Sequence, residues 1–178
     1  MRSNPQVRLE PWGEGDFPLL ERLLGDPQMT EHLGGPESPQ KLAERQARYV
    51  RLAESETDRM FKIVEEATGE AVGSVGYWKR TTEGGPVYEI GWSVLTAHQG
   101  RGIAAAGTAL AVAAARSERK FRYVHAYPSM ENPASNAICR KLGFTLMGNA
   151  RFEYPPGNFI QCNDWRLDLL DRRAAGGS

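Results

Sequence analysis

The sequence predicts one mixed α/β (α+β) domain, in which a mostly antiparallel sheet is flanked by about four helices. Segments with alternating apolar and polar residues, such as 88–94, are typical of half-buried strands. Amphipathic or alanine-rich segments typical of helices occur between them, without repeats or a linker. The 178 residues suffice for one sizeable core, so we expect a single domain over residues 1–172 and a disordered tail at 173–178.

The first part of the chain is predicted to contain one strand and two helices. Asp16 can cap a helix that ends before Gly25, because aspartate accepts N–H groups and glycine suits the end of a helix. Ser38 followed by Pro39 is a second typical helix start. The strand, first helix, loop and second helix are predicted at residues 7–12, 16–24, 26–37 and 39–53.

The rest of the chain is predicted to contribute six strands and two helices. Turns at Gly69 and at 81–86 join three antiparallel strands, the last of which is the central strand. A helix then crosses over to the next strand, which should therefore run parallel to the central one. The elements are predicted, in order, at residues 60–65, 71–80, 88–94, 103–114, 121–127, 132–142, 144–154 and 159–170, with a turn at 155–158.

The composition argues against several classes of protein. Basic and acidic residues number 22 each, so no net charge attracts nucleic acid or an anionic membrane. Cys139 and Cys162 lack paired ligand spacing and the three histidines are scattered, so neither a disulfide scaffold nor a metal site is expected. Because no signal-like or long apolar segment is present, we expect a cytoplasmic protein.

The most informative segment is the turn between the central strand and the next helix. Gly100 and Gly102 allow a sharp turn that leaves N–H groups unpaired at the positive end of a helix dipole, where phosphate binds well. Residues 100–105 fit the G-x-G-x-x-A pattern of dinucleotide-binding proteins. However, residues 95–99 separate the strand from the first glycine, and the next strand carries no acidic residue.

A second interpretation of this turn rests on two motifs. Gln99-x-x-Gly102-x-Ala104 resembles the Q/R-x-x-G-x-G/A loop of the GNAT superfamily of acyl-CoA N-acyltransferases. The segment from Asn132 to Phe144 resembles the family's N-x-x-S/A motif with its helix and Gly-Phe, at the separation that the family uses. The E-I-G-W sequence from Glu89 is most similar to the RimJ/RimL branch. The resemblance implies a GNAT fold, in which the central strand and its parallel neighbour splay apart.

The resemblance also implies that the chain binds acetyl-CoA as acyl donor. The pantetheine arm is expected to pair with the central strand, near a bulge, at Ser93, Val94 and Leu95. A backbone N–H of that segment would stabilise the thioester oxygen as it becomes negative. The candidate contacts of the CoA phosphates are Gln99, Gly100, Arg101, Gly102, Ile103, Ala104 and Ala105. Asn132 of the second motif is a further candidate contact of CoA.

Two residues are candidates for the general base. Glu89 is predicted in mid-strand among apolar neighbours, where desolvation would raise the pKa of a carboxyl, and some GNAT members use a strand glutamate as base. The alternative role for Glu89 is structural, bonded to an arginine. His125 and Tyr127 would face the same cleft if the strands splay, so His125 is the second candidate, although packed histidines are more common.

The departing thiolate should gain a proton, and here the sequence departs from the family's pattern. Many members place a tyrosine seven residues after the Asn132 position, where this chain has Cys139. In the RimL-like branch a serine at the Ser135 position is the proposed acid, so Ser135 is our second catalytic candidate; the alternative is a helix-surface serine. Asn132 can cap its helix as well as bond CoA or a peptide group. Cys139 is expected to be inert.

The predicted function is transfer of an acetyl group from acetyl-CoA to a primary amine in a ternary complex. The RimJ/RimL resemblance implies a protein N-terminal α-amine or a small amine as acceptor, with residues 26–37 near its site. Two alternatives remain: an antibiotic- or polyamine-modifying acetyltransferase, and a non-catalytic acyl-CoA-binding sensor or scaffold. We expect no metal, nucleic acid or membrane partner, and the resemblance allows a homodimer through the closing strands.

Overall fold

The computed structural model describes residues 4–153 and 156–171. Within them, seven strands form one sheet in the order β1-β2-β3-β4-β5-β7-β6, and four α-helices pack on it. The helices are α1 (Phe17–Leu24), α2 (Pro39–Arg51), α3 (Ile103–Glu118) and α4 (Pro133–Lys141). The strands are β1 (Val7–Pro11), β2 (Arg59–Glu65), β3 (Glu70–Thr82), β4 (Gly85–Val94), β5 (Tyr123–Ala126), β6 (Thr145–Glu153) and β7 (Phe159–Asp168). The predicted mixed α/β class is confirmed.

Helices pack on both faces of the sheet. One face carries the larger core, in which Tyr77, Ile90 and Val124 are buried with residues of α3 and α4. The opposite face carries a smaller core, in which Leu20 and its neighbours on α1 and α2 pack with Met60. Successive strand residues point to opposite faces of a sheet. On β3, β4 and β5, the residues that alternate with those of the larger core therefore face α1 and α2.

Strands β4 and β5 form the parallel pair, and they diverge at their carboxyl ends. Their pairing ends at Ile90 and Ala126, although β4 continues through residues 91–94. The chain after β5 follows β7 instead, where the Asn163 N–H donates to the Pro128 carbonyl at 2.9 Å. The predicted parallel pair is thus confirmed. The sequence did not locate the bulge around which the two strands were expected to splay. In the structure β4 pairs with β3 without a register shift, and the chain after β5 turns toward β7.

The element boundaries differ modestly from those predicted. Strand β3 extends to Thr82, so the hairpin that joins it to β4 is tighter than the predicted turn at 81–86. Tyr154 of the predicted β6, Pro155 of the following turn and the tail predicted at 173–178 lie outside the described residues. None of the helices in the described part of the chain has the length and apolar character needed to cross a lipid bilayer.

Candidate active site

The turn after β4 has the backbone conformation that its two glycines predicted. A short 3-10 helix, Thr96–His98, follows β4, and Gly100 and Gly102 then adopt φ angles of 75° and 81°. This left-handed region is costly for residues with a Cβ atom, so glycine is favoured at both positions. Both glycines are exposed, and α3 begins at the next residue, Ile103. The turn therefore presents its backbone to solvent.

The amino end of α3 leaves backbone N–H groups available to a ligand. The Ala106 N–H makes the helix's first backbone bond, to the Gly102 carbonyl at 3.0 Å, and the N–H groups of Ile103, Ala104 and Ala105 precede it. No side chain among the described residues caps this helix of 16 residues. Uncapped N–H groups at the positive end of a helix dipole are a suitable site for a phosphate.

The polar side chains of the turn are engaged within the protein. Gln99 Nε2 donates to the Val94 carbonyl at 2.9 Å and so braces the turn. The Arg101 guanidinium donates to the buried Glu65 carboxylate at 3.1 Å, which lowers the pKa of Glu65. His98 Nδ1 lies 3.6 Å from the other Glu65 oxygen. The Arg101 side chain thus lies at the edge of the turn and is 49% exposed, but its positive charge is already paired with the Glu65 carboxylate.

The carboxyl-terminal half of β4 has an open edge toward β5. The Leu95 N–H donates to the Val72 carbonyl at 2.9 Å, so the Leu95 backbone points toward β3. Because backbone groups alternate along a strand, Ser93 points the same way, whereas Trp92 and Val94 point toward the gap that β5 leaves. The N–H groups that face the gap are thus those of Trp92 and Val94, whereas those of Ser93 and Leu95 face β3; the pantetheine contacts at Ser93, Val94 and Leu95 remain a prediction.

The amino end of α4 is capped by Asn132, as the sequence predicted. The Asn132 Oδ1 accepts the Ser135 N–H at 3.1 Å, which places Ser135, half-buried, in the first turn. Asn136, the second asparagine of the motif, has a role that was not predicted from the sequence. Asn136 is buried, and its Oδ1 accepts from the Asn163 and Trp165 side chains, both at 2.8 Å. This contact ties α4 to β7.

Glu89 faces the α1–α2 side and is held by two residues of β3. Its Oε2 accepts from Trp78 Nε1 at 3.1 Å and from the Arg80 guanidinium at 3.0 Å. Gly91 leaves room for the indole, because a Cβ atom there would lie 3.1 Å from the Trp78 ring. The surroundings of Glu89 are therefore polar and not apolar as predicted, and the contacts match the alternative of an arginine-bonded glutamate.

Strand β5 places His125 beside Glu89, since the two residues are opposite each other in the parallel pair. The His125 Nδ1 lies 2.6 Å from Asp164 Oδ1 on β7. The Tyr127 ring stacks on the imidazole, with 5.8 Å between the ring centres and 16° between the planes. The expected grouping of Glu89, His125 and Tyr127 on one side of the sheet is thus present, with Asp164 added to it.

Aromatic rings flank this polar group. The Arg80 guanidinium lies 4.7 Å from the centre of the Tyr127 ring and 4.9 Å from that of Phe152. Burial raises the pKa of Tyr127 to about 12, so its hydroxyl stays protonated at neutral pH. Arg80, Phe152 and Asp164 were not predicted from the sequence to lie at this site. They come from β3, β6 and β7, and no local motif links them.

Cys139 is a packing residue. Its side chain is fully buried, and burial raises its pKa to about 12, so it remains a thiol. Burial also raises the pKa of Cys162. Among the described residues, no group of three or more histidine, cysteine, aspartate or glutamate side chains is arranged to hold a metal ion.

Comparisons with solved structures show the fold to be widely shared. The ribosomal-protein-S5-alanine acetyltransferase from Vibrio fischeri is 18% identical, with a TM-score of 0.72 over 95% of each chain. RimL, a ribosomal L7/L12 α-N-protein acetyltransferase solved with coenzyme A, is 20% identical, with a TM-score of 0.76 over 94% of this chain and 96% of its own. The yncA protein of Salmonella typhimurium, solved with acetyl-CoA, is 20% identical, with a TM-score of 0.72 over 95% and 96%.

Comparison of the sequence with curated proteins and with family models identifies the family of this chain. A search of curated proteins found no significant match. The family model described as "Acetyltransferase (GNAT) domain" matches residues 6–145, which is most of the chain. This match covers the strand, the glycine turn and the Asn132 motif on which the predicted resemblance rested, and members of the family use acetyl-CoA as donor. The chain belongs to the GNAT family of N-acetyltransferases.

Proposed function

We propose that this protein transfers the acetyl group of acetyl-CoA directly to a primary amine in a ternary complex. One observation carries the proposal: the open edge of β4 continues into the exposed turn at Gly100 and Gly102 and the uncapped start of α3. An extended arm that ends in a diphosphate fits this path. The arm can pair like an added strand, and the diphosphate can accept the free N–H groups.

Donor binding follows from the direction of this path. A pantetheine arm that leaves the turn and runs back along β4 meets the N–H of Val94 first and that of Trp92 next. Val94 would bond a pantetheine amide. Trp92 is closer in sequence to Glu89, so we assign its N–H to the thioester oxygen that becomes negative during attack. This assignment keeps Val94 of the predicted contacts and replaces Ser93 and Leu95 by Trp92.

The reaction also needs proton transfers. We assign the removal of a proton from the acceptor ammonium to Glu89, directly or through water. Its Oε2 is bonded to Trp78 and Arg80, which leaves Oε1 for this role. We assign protonation of the departing thiolate to Ser135. Its N–H is fixed by Asn132 at the amino end of α4, which follows the carboxyl end of β5.

The acceptor is proposed to be a protein N-terminal α-amine, with small amines as the second class. This face of the sheet carries the carboxylates of Glu89 and Asp164, which are bonded to Arg80 and His125, and carboxylate oxygens are the acceptors that a cationic amine needs. Proteins of similar fold define the panel to test: the S5-alanine and L7/L12 enzymes, a spermidine N-acetyltransferase chimera from Vibrio cholerae and hSSAT, and an aminoglycoside acetyltransferase.

The test is a thiol-release screen with acetyl-CoA against N-terminal peptides, polyamines, aminoglycosides and amino acids. We expect saturable, amine-dependent release of free CoA thiol with at least one class, and none beyond background without amine. Acetyl-CoA binding is measured in parallel by calorimetry. A protein that binds acetyl-CoA but releases no thiol with any amine would favour the sensor or scaffold and contradict this proposal.

A further inference from the structure

We infer that His125 and Asp164 form a second proton-transfer pair in this active site, in which His125 contacts the substrate and Asp164 positions it. The inference rests on the proposed function. The His125 Nδ1 and the Asp164 Oδ1 are 2.6 Å apart, and their side chains are 12% and 25% exposed. The contact joins β5 to β7 across 39 residues, so it is part of the sheet and not a flexible surface ion pair.

The carboxylate of Asp164 selects one form of the imidazole. A carboxylate only accepts, so the 2.6 Å contact requires a proton on His125 Nδ1. In the neutral ring Nε2 then carries a lone pair, and it has no hydrogen-bond partner in the part of the chain that the structure describes. The stacked Tyr127 ring limits rotation of the imidazole. The geometry therefore leaves Nε2 as an oriented proton acceptor.

The pair stands where the two substrates would meet. His125 lies opposite Glu89, one residue before the last paired position of β4 and β5. The Trp92 N–H, which we propose to bond the thioester oxygen, lies two residues after Ile90 on the open edge of β4. A nucleophile between Glu89 and the thioester would therefore approach from the side of the sheet that carries His125.

The proton balance of the reaction gives this second acceptor a role. The amine enters as an ammonium ion, and its nitrogen loses two protons before it becomes an amide, whereas the thiolate gains one. Glu89 takes the first proton. The neutral amine then attacks the thioester carbon, a C–N bond forms, and His125 Nε2 takes the second proton from the cationic nitrogen. The C–S bond breaks with its electron pair on sulfur, which is protonated from Ser135. Of the two protons taken by Glu89 and His125, one returns to the Ser135 oxygen and the other leaves to water.

Replacement of the imidazole tests the inference directly. His125→Ala should lower kcat by about 10²- to 10⁴-fold, the range typical of a general base, while acetyl-CoA binding stays unchanged. Imidazole added to the assay should restore part of the lost rate, because it can occupy the space that the side chain vacates. A histidine that only packs would not be rescued in this way. His125→Gln serves as the second variant if the alanine variant melts at a clearly lower temperature.

Replacement of the carboxylate tests the positioning role. Asp164→Asn keeps the side-chain size, and we expect kcat to fall on the order of 10²-fold with KM for acetyl-CoA unchanged. Nitrogen NMR should show Nδ1–H for His125 in the wild type and a shifted tautomer population in the variant. Asp168→Asn is the matched control, because Asp168 lies on the same strand and bonds Arg122 at 2.8 Å. It should change neither the rate nor the imidazole spectrum.

Three results would overturn the inference while the proposed function stands. They are a His125→Ala rate close to wild type, a lowered rate that imidazole does not rescue, and a wild-type imidazole protonated on Nε2 alone. A wild-type protein that releases no thiol with any amine instead contradicts the proposed function, and the pair with it.

Discussion

Glu89 shows how contacts across the sheet, and not sequence neighbours, define the chemistry of a residue. Its neighbours Tyr88 and Ile90 are apolar, but they are buried on the opposite face of the sheet. The residues that reach its carboxylate, Trp78 and Arg80, are on β3, where Trp78 lies directly opposite Glu89. The sequence therefore predicted an apolar site, whereas the antiparallel pairing supplies a cation and an indole N–H.

We predict that Glu89→Gln lowers kcat by about 10²-fold or more at neutral pH and leaves acetyl-CoA affinity intact. Glutamine keeps an oxygen that can accept from Trp78 and Arg80, but it cannot take a proton. Steady-state kinetics and calorimetry measure the two effects. Glu83→Gln, in the exposed turn between β3 and β4, is the control with the same chemical change. An unchanged kcat would leave His125 as the remaining candidate base.

We predict that Cys139 takes no part in the reaction. Because burial excludes reagent and raises its pKa to about 12, folded protein treated with iodoacetamide near neutral pH should keep its activity and an unmodified Cys139. Mass spectrometry of the treated protein checks this, with denatured protein as the positive control for labelling. Rapid labelling of Cys139 in the folded state, with loss of activity, would show that the thiol is accessible and required.

At the scale of elements, close packing fixes where α3 begins. The Gly107 backbone on α3 lies so close to β2 that a Cβ atom there would be 2.6 Å from Ile63 Cδ1. A helix this close to the sheet can shift little, because protein interiors are packed as densely as organic crystals and have low compressibility. The free N–H groups at its amino end are therefore held in a fixed position relative to the open edge of β4.

We predict that Gly100→Asp abolishes measurable acetyl-CoA binding, because it places a carboxylate among the N–H groups proposed for the diphosphate. Gly85→Asp is the matched control, since Gly85 also has a positive φ, 109°, and open space at its Cβ position, but lies at the other end of β4. Both variants should lose similar stability, and only the first should lose calorimetric binding. Retained affinity in Gly100→Asp would refute the phosphate-loop assignment.

At the scale of the molecule, two ion pairs connect distant parts of the chain and make stability depend on pH. Arg101 lowers the pKa of Glu65, which links the glycine turn to β2, and Arg122 lowers the pKa of Asp168 at the end of β7. A carboxyl with a lowered folded-state pKa stabilises the fold above its unfolded pKa, and this contribution is lost as pH falls through the folded value.

We predict that the free energy of unfolding falls between the ordinary carboxyl pKa, about 4, and the lower folded values. The double variant Glu65→Gln, Asp168→Asn should flatten this part of the curve. Urea unfolding between neutral pH and about pH 3 measures it. The single variant Glu83→Gln, at an exposed turn, should keep the wild-type pH dependence. A double variant with an unchanged curve would show that other carboxylates dominate acid unfolding.

The sequence by itself determined the features that depend on a few consecutive residues. Gly100 and Gly102 predicted a sharp turn before a helix, and Asn132 predicted the cap of α4. Both predictions are confirmed, because φ preference and capping act within one turn of chain. Strand and helix periodicity was sufficient for the fold class, and the family followed from the resemblance of the two motifs that contain these residues.

Only the tertiary structure decided which groups meet at the candidate active site. The partners of Glu89 and His125 come from β3 and β7, and strand pairing brings His125 to Asp164 across 39 residues. It also decided which N–H groups of β4 are open, because the Leu95 bond to β3 sets the alternation along the strand. Such contacts depend on register and on which strands are neighbours, and these follow from how the whole sheet assembles.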